Sequence, residues 1–144
     1  MLFITRVSTD CIAENKGKLL VVRRNIPPFR GKYCFPGGHL KFNESVEECV
    51  VRETYEETGV KVEPKEILGV YSKKNRDPRG HIVSIVFVCK PINNRVKSSF
   101  EGEAEWMDVK LLKNIDMAFD HKRILEDYLK WKRRRQTFWS GKDG

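Results

Sequence analysis

The sequence predicts an α/β fold in which one β-sheet is covered by helices on both faces. Short apolar runs typical of strands lie before and after one internal helical pattern, and a second helical pattern lies near the C-terminus. Strands interleaved with helices in this way favour a layered arrangement with the sheet in the middle. A chain of 144 residues can bury a core of its own. We therefore expect residues 1–144 to form a single domain.

The first third of the chain is predicted to be strands and loops. Residues 3–7 and 19–24 are rich in strand-forming residues. A turn is expected at 15–18, which contains a glycine. Two prolines and a glycine exclude helix from residues 26–31. A short strand at 33–35 should end at the sequence Pro-Gly-Gly, where paired glycines allow a sharp turn and a close approach to a ligand.

A helix is predicted over residues 45–58. Ser45 or Asn43 can serve as its N-cap, and Gly59 is a natural C-cap. Three apolar residues spaced for one helical face (Val46, Cys49 and Val50) should pack against the sheet. The internal helix is thus bounded by ordinary capping signals at both ends.

The second half of the chain repeats the alternation of strands and helix. Residues 60–72 contain strand broken near Pro64, and the nearly continuous apolar run at 82–89 indicates a central strand. Residues 106–107 suggest another short strand. The last element is a helix over 120–132 whose apolar residues share one face.

Composition excludes several classes of protein. No apolar run approaches the roughly 18 residues of a membrane span, and the first ten residues do not resemble a secretory leader. The four cysteines are dispersed (Cys11, Cys34, Cys49 and Cys89), which favours reduced, buried thiols in a cytoplasmic protein over a disulfide framework. The three histidines are scattered as well, so a zinc enzyme is not expected.

Charge is concentrated near the C-terminus. The formal net charge is +8, and residues 130–144 contain six Lys or Arg against one Asp. A modestly basic body suits a protein that handles anionic phosphates. Residues 133–144 are expected to be a basic tail, solvated or frayed. A nucleic-acid contact through this tail is the less favoured alternative.

The most informative segment is 38–60, with the spacing G-x5-E-x7-R-E-x-x-E-E-x-G. Glu53, Glu56 and Glu57 are three and four residues apart, so they share one face of the predicted helix, where like charges repel. Divalent cations such as Mg²⁺ prefer carboxylate oxygens and commonly bridge to substrate phosphates. The helix is therefore predicted to be a metal platform for phosphate chemistry.

This segment resembles the signature of the Nudix hydrolases, which cleave a nucleoside diphosphate linked to another group. The resemblance covers 23 of 144 residues, with every charged position and both signature glycines. Thr54 departs from the aliphatic residue usual there. The resemblance implies the Nudix α/β/α sandwich, with a mixed sheet between helices. It is closest to microbial ADP-ribose pyrophosphatases and nucleotide pyrophosphohydrolases.

The resemblance also implies roles for individual residues. Glu56 and Glu57 match metal ligands for Mg²⁺ or Mn²⁺, and Glu53 matches a ligand or a base that orients water. Arg52 and Glu44 match a pair that braces the loop against the helix. The backbone carbonyl of Gly37 or Gly38 is a further candidate ligand. Family members recruit another carboxylate from a later loop; among Glu101, Glu103 and Glu105 we select Glu103.

The loop at 75–81 is the main indication of substrate. An arginine can donate two parallel hydrogen bonds to a phosphate. Arg76 and Arg79, together with His81, are therefore candidate substrate-binding residues. This loop looks like that of microbial ADP-ribose pyrophosphatases, although a salt bridge between Asp77 and an arginine is the simpler alternative. The strand end at 23–24 adds Arg24, and less favourably Arg23, as a phosphate contact.

Other substrates and functions remain open at this point. The sequence FPGGHL at 35–40 resembles enzymes that hydrolyse canonical or oxidised nucleoside triphosphates, and Lys41 and Asn43 depart from both groups. The base should stack on an aromatic residue, with candidates Phe29, Tyr33, Phe35 and Tyr71. A non-catalytic ligand sensor, an enzyme acting on RNA 5′ ends and a homodimer are the remaining alternatives. ADP-ribose is the preferred substrate.

Overall fold

The computed structural model describes residues 3–142, which alternate strands and helices as an α/β fold requires. The strands are β1 (Arg6–Asn15), β2 (Lys18–Arg24), β3 (Tyr33–Cys34), β4 (Gly37–His39), β5 (Val62–Tyr71), β6 (Ile82–Pro91), β7 (Gly102–Asp108) and β8 (Phe138–Trp139). The helices are α1 (Val46–Thr58), α2 (Val109–Leu112) and α3 (His121–Arg133). Among the described residues, no helix has the length and apolar character that crossing a bilayer requires.

These strands form one mixed sheet along the path β3-β2-β1-β6-β5-β8. At its centre β1 and β6 run parallel, in register from Arg6 opposite Ile82 to Ala13 opposite Cys89. β5 is antiparallel to β6, while β4 pairs with β1 and β7 pairs with β2. β6 thus lies between β1 and β5, which confirms the prediction of a central strand at 82–89. A register shift in β5 follows Pro64, where a break was predicted.

The two faces of the sheet bury two separate cores. Successive strand residues point to opposite faces, so Cys11 of β1 packs on one side with Val50 of α1. Ile12 packs on the other side with Ile124 of α3. Burying side chains of this size stabilises the fold by roughly 1.5–3 kcal/mol each. The sandwich of helices around a mixed sheet is confirmed.

Helix α1 begins and ends where its capping residues predict. The Ser45 hydroxyl accepts a hydrogen bond from the Glu48 N–H, and the Glu48 carboxylate accepts one from the Ser45 N–H. Gly59 has a φ of 72° and donates its N–H to the carbonyl of Tyr55. Asn43 is not the cap; it has a φ of 63°, a conformation that Asn tolerates. These caps determine which residues of α1 face the sheet.

Several predicted boundaries were wrong. β1 begins at Arg6 and continues to Asn15, beyond the strand predicted at 3–7, because pairing with β6 outweighs the low strand propensity of polar residues such as Asp10. β7 is longer than the predicted strand at 106–107. The short helix α2 was not predicted, since four residues carry no measurable periodicity.

The basic tail is held to the sheet at residues 138–139 rather than frayed there, although most of its described side chains are solvated as expected. β8 pairs in parallel with β5, with Gly69 opposite Phe138. The Phe138 side chain is 1% exposed and belongs to the core under α3. Two aromatic residues beyond the basic run provide enough apolar area to hold the segment against the sheet. The basic side chains of 133–135 remain exposed.

Candidate active site

A cavity of about 220 Å³ lies where α1, β1 and the loops after β3 and before α3 meet. Glu53 and Glu57 of α1 line it, as do Gly37 and Gly38. Glu56 does not; its side chain is 53% exposed. Two of the three helical glutamates therefore face this cavity. This follows from the period of the helix, on which positions 53 and 57 lie one turn apart.

Arg52 connects the helix to the loop that precedes it. Its guanidinium donates two hydrogen bonds to Glu44, from Nε at 2.6 Å and from Nη2 at 3.0 Å. It also donates to Glu53 at 2.7 Å, to Glu56 at 3.2 Å and to the carbonyl oxygen of His39. The bonds from Arg52 lower the pKa of the Glu44 carboxyl to about 2. The predicted brace between Arg52 and Glu44 is present.

Gly37 and Gly38 are required by close contacts. The Gly37 N–H donates to Glu57 Oε1 at 2.8 Å. A Cβ at Gly37 would lie 2.0 Å from the carbonyl oxygen of Thr9, and one at Gly38 would lie 2.3 Å from the Glu53 carboxyl group. Only glycine lets the loop approach both β1 and the glutamates this closely. The paired glycines thus position two carboxylates rather than merely making a turn.

The carboxylates of the cavity are held in an environment that disfavours their negative charge. Burial is the main reason that the pKa of Glu57 is raised to about 8, and the charges of Glu53, Glu101 and Asp10 raise it further, against the Gly37 hydrogen bond, which lowers it. Burial likewise raises the pKa of Glu53, against the lowering effect of Arg52. A divalent cation would favour the ionised form of such a group. The donor set therefore fits a hard metal ion.

The three helical glutamates do not surround a common point. Within residues 3–142, no three Asp, Glu, His or Cys side chains are already arranged to hold an ion. Glu53 and Glu56 are both bound to Arg52, which offsets their repulsion. The assignment of Glu53, Glu56 and Glu57 as metal ligands therefore stays a prediction, since these side chains are not already grouped around one point.

The further carboxylate at the cavity is Glu101, not Glu103. Glu101 lines the cavity and its charge raises the pKa of both Glu53 and Glu57. Glu103 is exposed on β7, opposite Arg23, and does not line it. Glu105 contacts Tyr33, whose pKa is raised by burial and then by this carboxylate. The structure thus favours Glu101 over our selection, Glu103, as the carboxylate of this segment that reaches the cavity.

Arginines occupy another part of the cavity wall. Arg24 and Arg79 both line it, and their guanidinium carbons lie 5.1 Å and 5.5 Å from the centre of the Phe119 ring. Arg24 donates from Nε to the carbonyl of Pro28 at 2.6 Å. Arg23 is exposed and donates to the carbonyl of Gly31 instead. Arg24 and Arg79 are thus placed to meet an anion in the cavity.

The loop at 75–81 is held by ion pairs of its own. Arg79 donates from Nε and Nη2 to the two oxygens of Asp77, which confirms the simpler alternative of a salt bridge there. Arg76 is 8% exposed and donates to both oxygens of Asp120, at 2.9 and 2.7 Å. Arg76 reaches the cavity wall, yet these bonds commit it to joining the loop to the start of α3.

His81 lies outside this cavity. Its ring contacts the Thr5 hydroxyl at 3.0 Å, and it lines a neighbouring cavity of about 420 Å³. The two cavities share His39, Arg79 and Ile82 in their walls. The Nδ1 atom of His39 is buried and has no hydrogen-bond partner among residues 3–142. We call the cavity of about 420 Å³ that His81 lines the annex.

Sequence reasoning missed several residues of the cavity. Asp10 accepts a hydrogen bond from the Ser84 hydroxyl and lies 3.7 Å from His121 Nε2. His121 Nδ1 accepts the Phe35 N–H at 2.9 Å, so the ring is neutral with its proton on Nε2. An aspartate inside a long strand was the available signal for Asp10. Nothing local marks Phe119, which has a φ of 55°.

The aromatic candidates for base stacking differ in whether a ligand in the cavity can reach them. Tyr71 is 0% exposed and does not line the cavity, whereas Phe35 lines it but is 1% exposed and stacks on His121. Phe29 packs edge to face against Phe119, with the ring centres 4.9 Å apart. Phe119 lines the cavity and was not among the candidates. It is the aromatic side chain best placed to contact a bound base.

Comparison with known proteins agrees with this geometry. The family model described as the NUDIX domain matches residues 4–128. The chain is 45% identical over 127 residues to the "ADP-ribose pyrophosphatase" of Methanocaldococcus jannaschii, covering 88% of this chain and 74% of that one. It is 33% identical over 135 residues to the Bacillus subtilis "Uncharacterized Nudix hydrolase YvcI", covering 90% and 82%.

Solved structures show the same fold. A NUDIX hydrolase from Nitrosomonas europaea superposes with a TM-score of 0.81 at 29% identity, covering 93% of this chain and 75% of that one. The NUDIX domain of Shewanella oneidensis NrtR, solved in complex with ADP ribose, superposes at 0.75 with 23% identity, covering 90% and 88%. Together with the glutamates, the glycines and Arg52, these matches show that the chain belongs to the Nudix hydrolase family of enzymes.

Proposed function

We propose that this enzyme hydrolyses ADP-ribose to AMP and ribose 5-phosphate with the help of Mg²⁺. The observation that carries the proposal is a single cavity lined by both carboxylates and arginines, Glu53, Glu57 and Glu101 together with Arg24 and Arg79. A metal-bound pyrophosphate needs both kinds of group. The relative named as an ADP-ribose pyrophosphatase, at 45% identity, supports the choice of substrate.

Glu57, Glu53 and Glu101 would hold the metal ion. Nudix hydrolases generally use divalent metal ions, and Mg²⁺ suits an all-oxygen donor set in which substrate phosphates complete the coordination. Mn²⁺ is the alternative ion. Such an ion, when bound, neutralises charge on the phosphates and assists water as a nucleophile. The Gly37 N–H keeps Glu57 turned toward the cavity.

The side chains of this protein then supply orientation and charge. Arg24 and Arg79 bind the phosphate oxygens, and Phe119 contacts the base. Glu53 accepts a proton from the attacking water when it is not itself a ligand, since burial raises its pKa. The water oxygen forms a new bond to one phosphorus while the bridging P–O bond breaks. The two monophosphates, AMP and ribose 5-phosphate, leave separately.

The annex provides room for the second half of the substrate. The main cavity alone is smaller than the roughly 300–1,000 Å³ of ordinary ligand sites, and the two volumes together fall within that range. His39 has a lowered pKa, mainly because it is buried, and is neutral at pH 7. Its unpaired Nδ1 could bond a sugar hydroxyl, which would remove a cost of about 1–3 kcal/mol. The annex thus suits a ribose.

Two further predictions belong to the same proposal. We place the enzyme in the cytoplasm, because all four cysteines are free and buried, as is usual for proteins of reducing compartments. We also infer that residues 1–144 act as one domain. Sedimentation would distinguish a monomer from the homodimer that the sequence left open.

The test is turnover of defined substrates by the purified chain with Mg²⁺. ADP-ribose and a panel of canonical and oxidised nucleoside triphosphates are incubated separately, and the products are resolved by chromatography. We expect AMP and ribose 5-phosphate from ADP-ribose, with a kcat/KM well above that of every triphosphate. Nucleoside monophosphate and pyrophosphate from triphosphates alone would replace the proposal with a triphosphate pyrophosphohydrolase.

Matched variants assign the turnover to this cavity. Glu57→Gln keeps the acceptor for the Gly37 N–H but removes a metal ligand, and should lower kcat by at least about 100-fold. Glu66→Gln, on the exposed part of β5, is the control with the same chemical change and should leave kcat within two-fold. Equal activity of Glu57→Gln and wild type would refute the assignment of the site.

A further inference from the structure

A second groove lies between α3 and the ends of β1, β5 and β6. It has a volume of about 520 Å³, and basic side chains dominate its wall: Lys16, Lys65, Lys90, Lys132 and Arg135, with Trp131 at its base. We call it the α3 groove. Its volume lies within the range of small-ligand sites. Neither the glutamate signature nor the proposed reaction gives this groove a role.

The α3 groove is far from the catalytic cavity. Ile82, at the start of β6, lines the catalytic cavity, whereas Val88 to Pro91, at the end of the same strand, line the groove. Six residues of strand separate Ile82 from Val88, which corresponds to about 20 Å. A substrate held by Glu57 and Arg79 therefore does not extend into the groove.

The groove carries an excess of positive charge. Only two carboxylates, Glu14 and Glu66, line it against the five basic side chains. Glu14 accepts two hydrogen bonds from Lys132 and one from the Tyr128 hydroxyl, so one cation and one carboxylate are already paired. Lys65 pairs with Glu63.

Three basic side chains of the groove are available to a ligand. Within the described part of the chain, Lys16, Lys90 and Arg135 have no carboxylate within salt-bridge distance. All three line the same groove, where nearby cations raise the local concentration of anions. An anion bound in the groove would offset this excess of positive charge.

Arg135 is held in place before any ligand arrives. Its guanidinium carbon lies 3.6 Å from the centre of the Trp131 ring, and its Nη1 donates to the Trp131 carbonyl at 3.1 Å. Trp131 in turn stacks on Tyr128, with ring centres 5.8 Å apart. A stacked guanidinium loses little further freedom when it binds, and its planar fork matches two oxygens of a phosphate.

We propose that the α3 groove is a second anion site that binds a small phosphate-bearing ligand through Arg135, Lys90 and Lys16. Phosphate is favoured over a carboxylate ligand because three separate cations match the charge of two or more phosphate groups better than one carboxylate. Trp131 is only 7% exposed and is covered by Arg135, so it offers no free ring for stacking on a nucleic-acid base. A short oligophosphate or the phosphates of a free nucleotide fit this chemistry.

The test uses inorganic tripolyphosphate as the probe and the chain of residues 1–144 in EDTA. Amide chemical shifts are followed during titration, with the indole N–H of Trp131 as a reporter. We expect saturable shifts at 88–90 and 131–135, distinct from any shifts at Glu53 and Glu57. The double variant Lys90→Gln with Arg135→Gln should weaken binding at the groove at least ten-fold.

A charge-matched control separates a site from general attraction. Lys110→Gln with Arg133→Gln also removes two exposed positive charges, and neither residue lines the groove. This control should change the Kd less than two-fold. Equal weakening by both double variants would overturn the proposal. Arg135→Lys keeps the charge but loses the planar fork, so it should bind tripolyphosphate with intermediate affinity. Such a result would show that the weaker binding of the double variant does not come from unfolding.

A second arm identifies the source of the phosphate. ADP and a twelve-nucleotide single strand are titrated in the same way, each into wild type and into the groove variant. Binding of ADP that competes with tripolyphosphate supports the proposal. Groove-dependent binding of the single strand that is at least ten-fold tighter than that of either small anion would overturn it in favour of a nucleic-acid contact.

Discussion

Replacing Gly37 with alanine should damage both activity and stability, because the new methyl group meets backbone. Its Cβ would lie 2.0 Å from the Thr9 carbonyl oxygen and 2.9 Å from the Asp10 Cα. Ordinary contacts begin at about 3.4 Å, so the loop must move away from β1 by more than about 1 Å. Thr9 and Asp10 cannot yield easily, since β1 also pairs with β6 at the centre of the sheet.

The expected size of the effect follows from this displacement. A misplacement of about 1 Å in a catalytic group can cost about 100-fold in rate. The Gly37 N–H that orients Glu57 moves with the loop, so kcat/KM should fall by about that factor, or roughly 2.7 kcal/mol of transition-state stabilisation. Strain of this kind typically lowers the free energy of unfolding by about 1–3 kcal/mol.

Gly38→Ala provides a comparison that separates the two losses. The three atoms nearest its Cβ would all belong to the Glu53 carboxyl group, the first at 2.3 Å, and this flexible side chain can rotate away. We expect kcat to fall while stability changes by less than in Gly37→Ala. Gly141→Ala is the neutral control, because a Cβ there meets nothing within 4 Å. Steady-state hydrolysis and urea unfolding measure both quantities. Wild-type activity and stability in Gly37→Ala would refute the reasoning.

The remaining predictions concern the extra carboxylate, the brace and the C-terminal strand. Glu101→Gln should lower kcat/KM at least ten-fold and Glu103→Gln less than two-fold; the opposite order in the same assay would restore the choice made from sequence. The pKa of Glu44 is lowered from 4.5 to about 2, so its ionised form stabilises the fold above pH 4.5 and this contribution is lost as pH falls through 2. Glu44→Gln should therefore be less stable than wild type in urea at pH 7, with the difference shrinking between pH 4.5 and 2; a constant difference would argue against the brace. Phe138→Ala should cost about 3–5 kcal/mol in urea unfolding, and Trp139→Ala, at a 52% exposed side chain, about 1 kcal/mol or less. If both variants lost equally little unfolding free energy, the C-terminal strand would have to be frayed after all.

Much of α1 could be predicted because its determinants are local. The Ser45 cap, the Gly59 C-cap and the pairing of Arg52 with Glu44 all involve residues within one or two helical turns of each other. Local hydrogen bonds and the helical period govern these features. The same reasoning predicted that Glu53 and Glu57 would share a face, and both line the cavity.

The strand boundaries and the third carboxylate were harder, since they depend on pairing between distant segments. Glu101, Glu103 and Glu105 are equivalent by type and lie within five residues. Which of them faces the cavity depends on where β7 begins and on its register with β2. A register is decided by packing along both strands, and short-range sequence does not specify it.

By itself the sequence determined the family, the α/β/α sandwich and the helix predicted to bind metal. The strict spacing of charged residues identifies the helix and also places its carboxylates on one face. Only the tertiary structure decided which charged residues line the cavity and how they are paired. Arg76 is committed to Asp120, 44 residues away, and Asp10 approaches His121 across more than a hundred residues of chain. These partners are chosen by the packing of helices against the sheet, where each buried charge must find a compensating group.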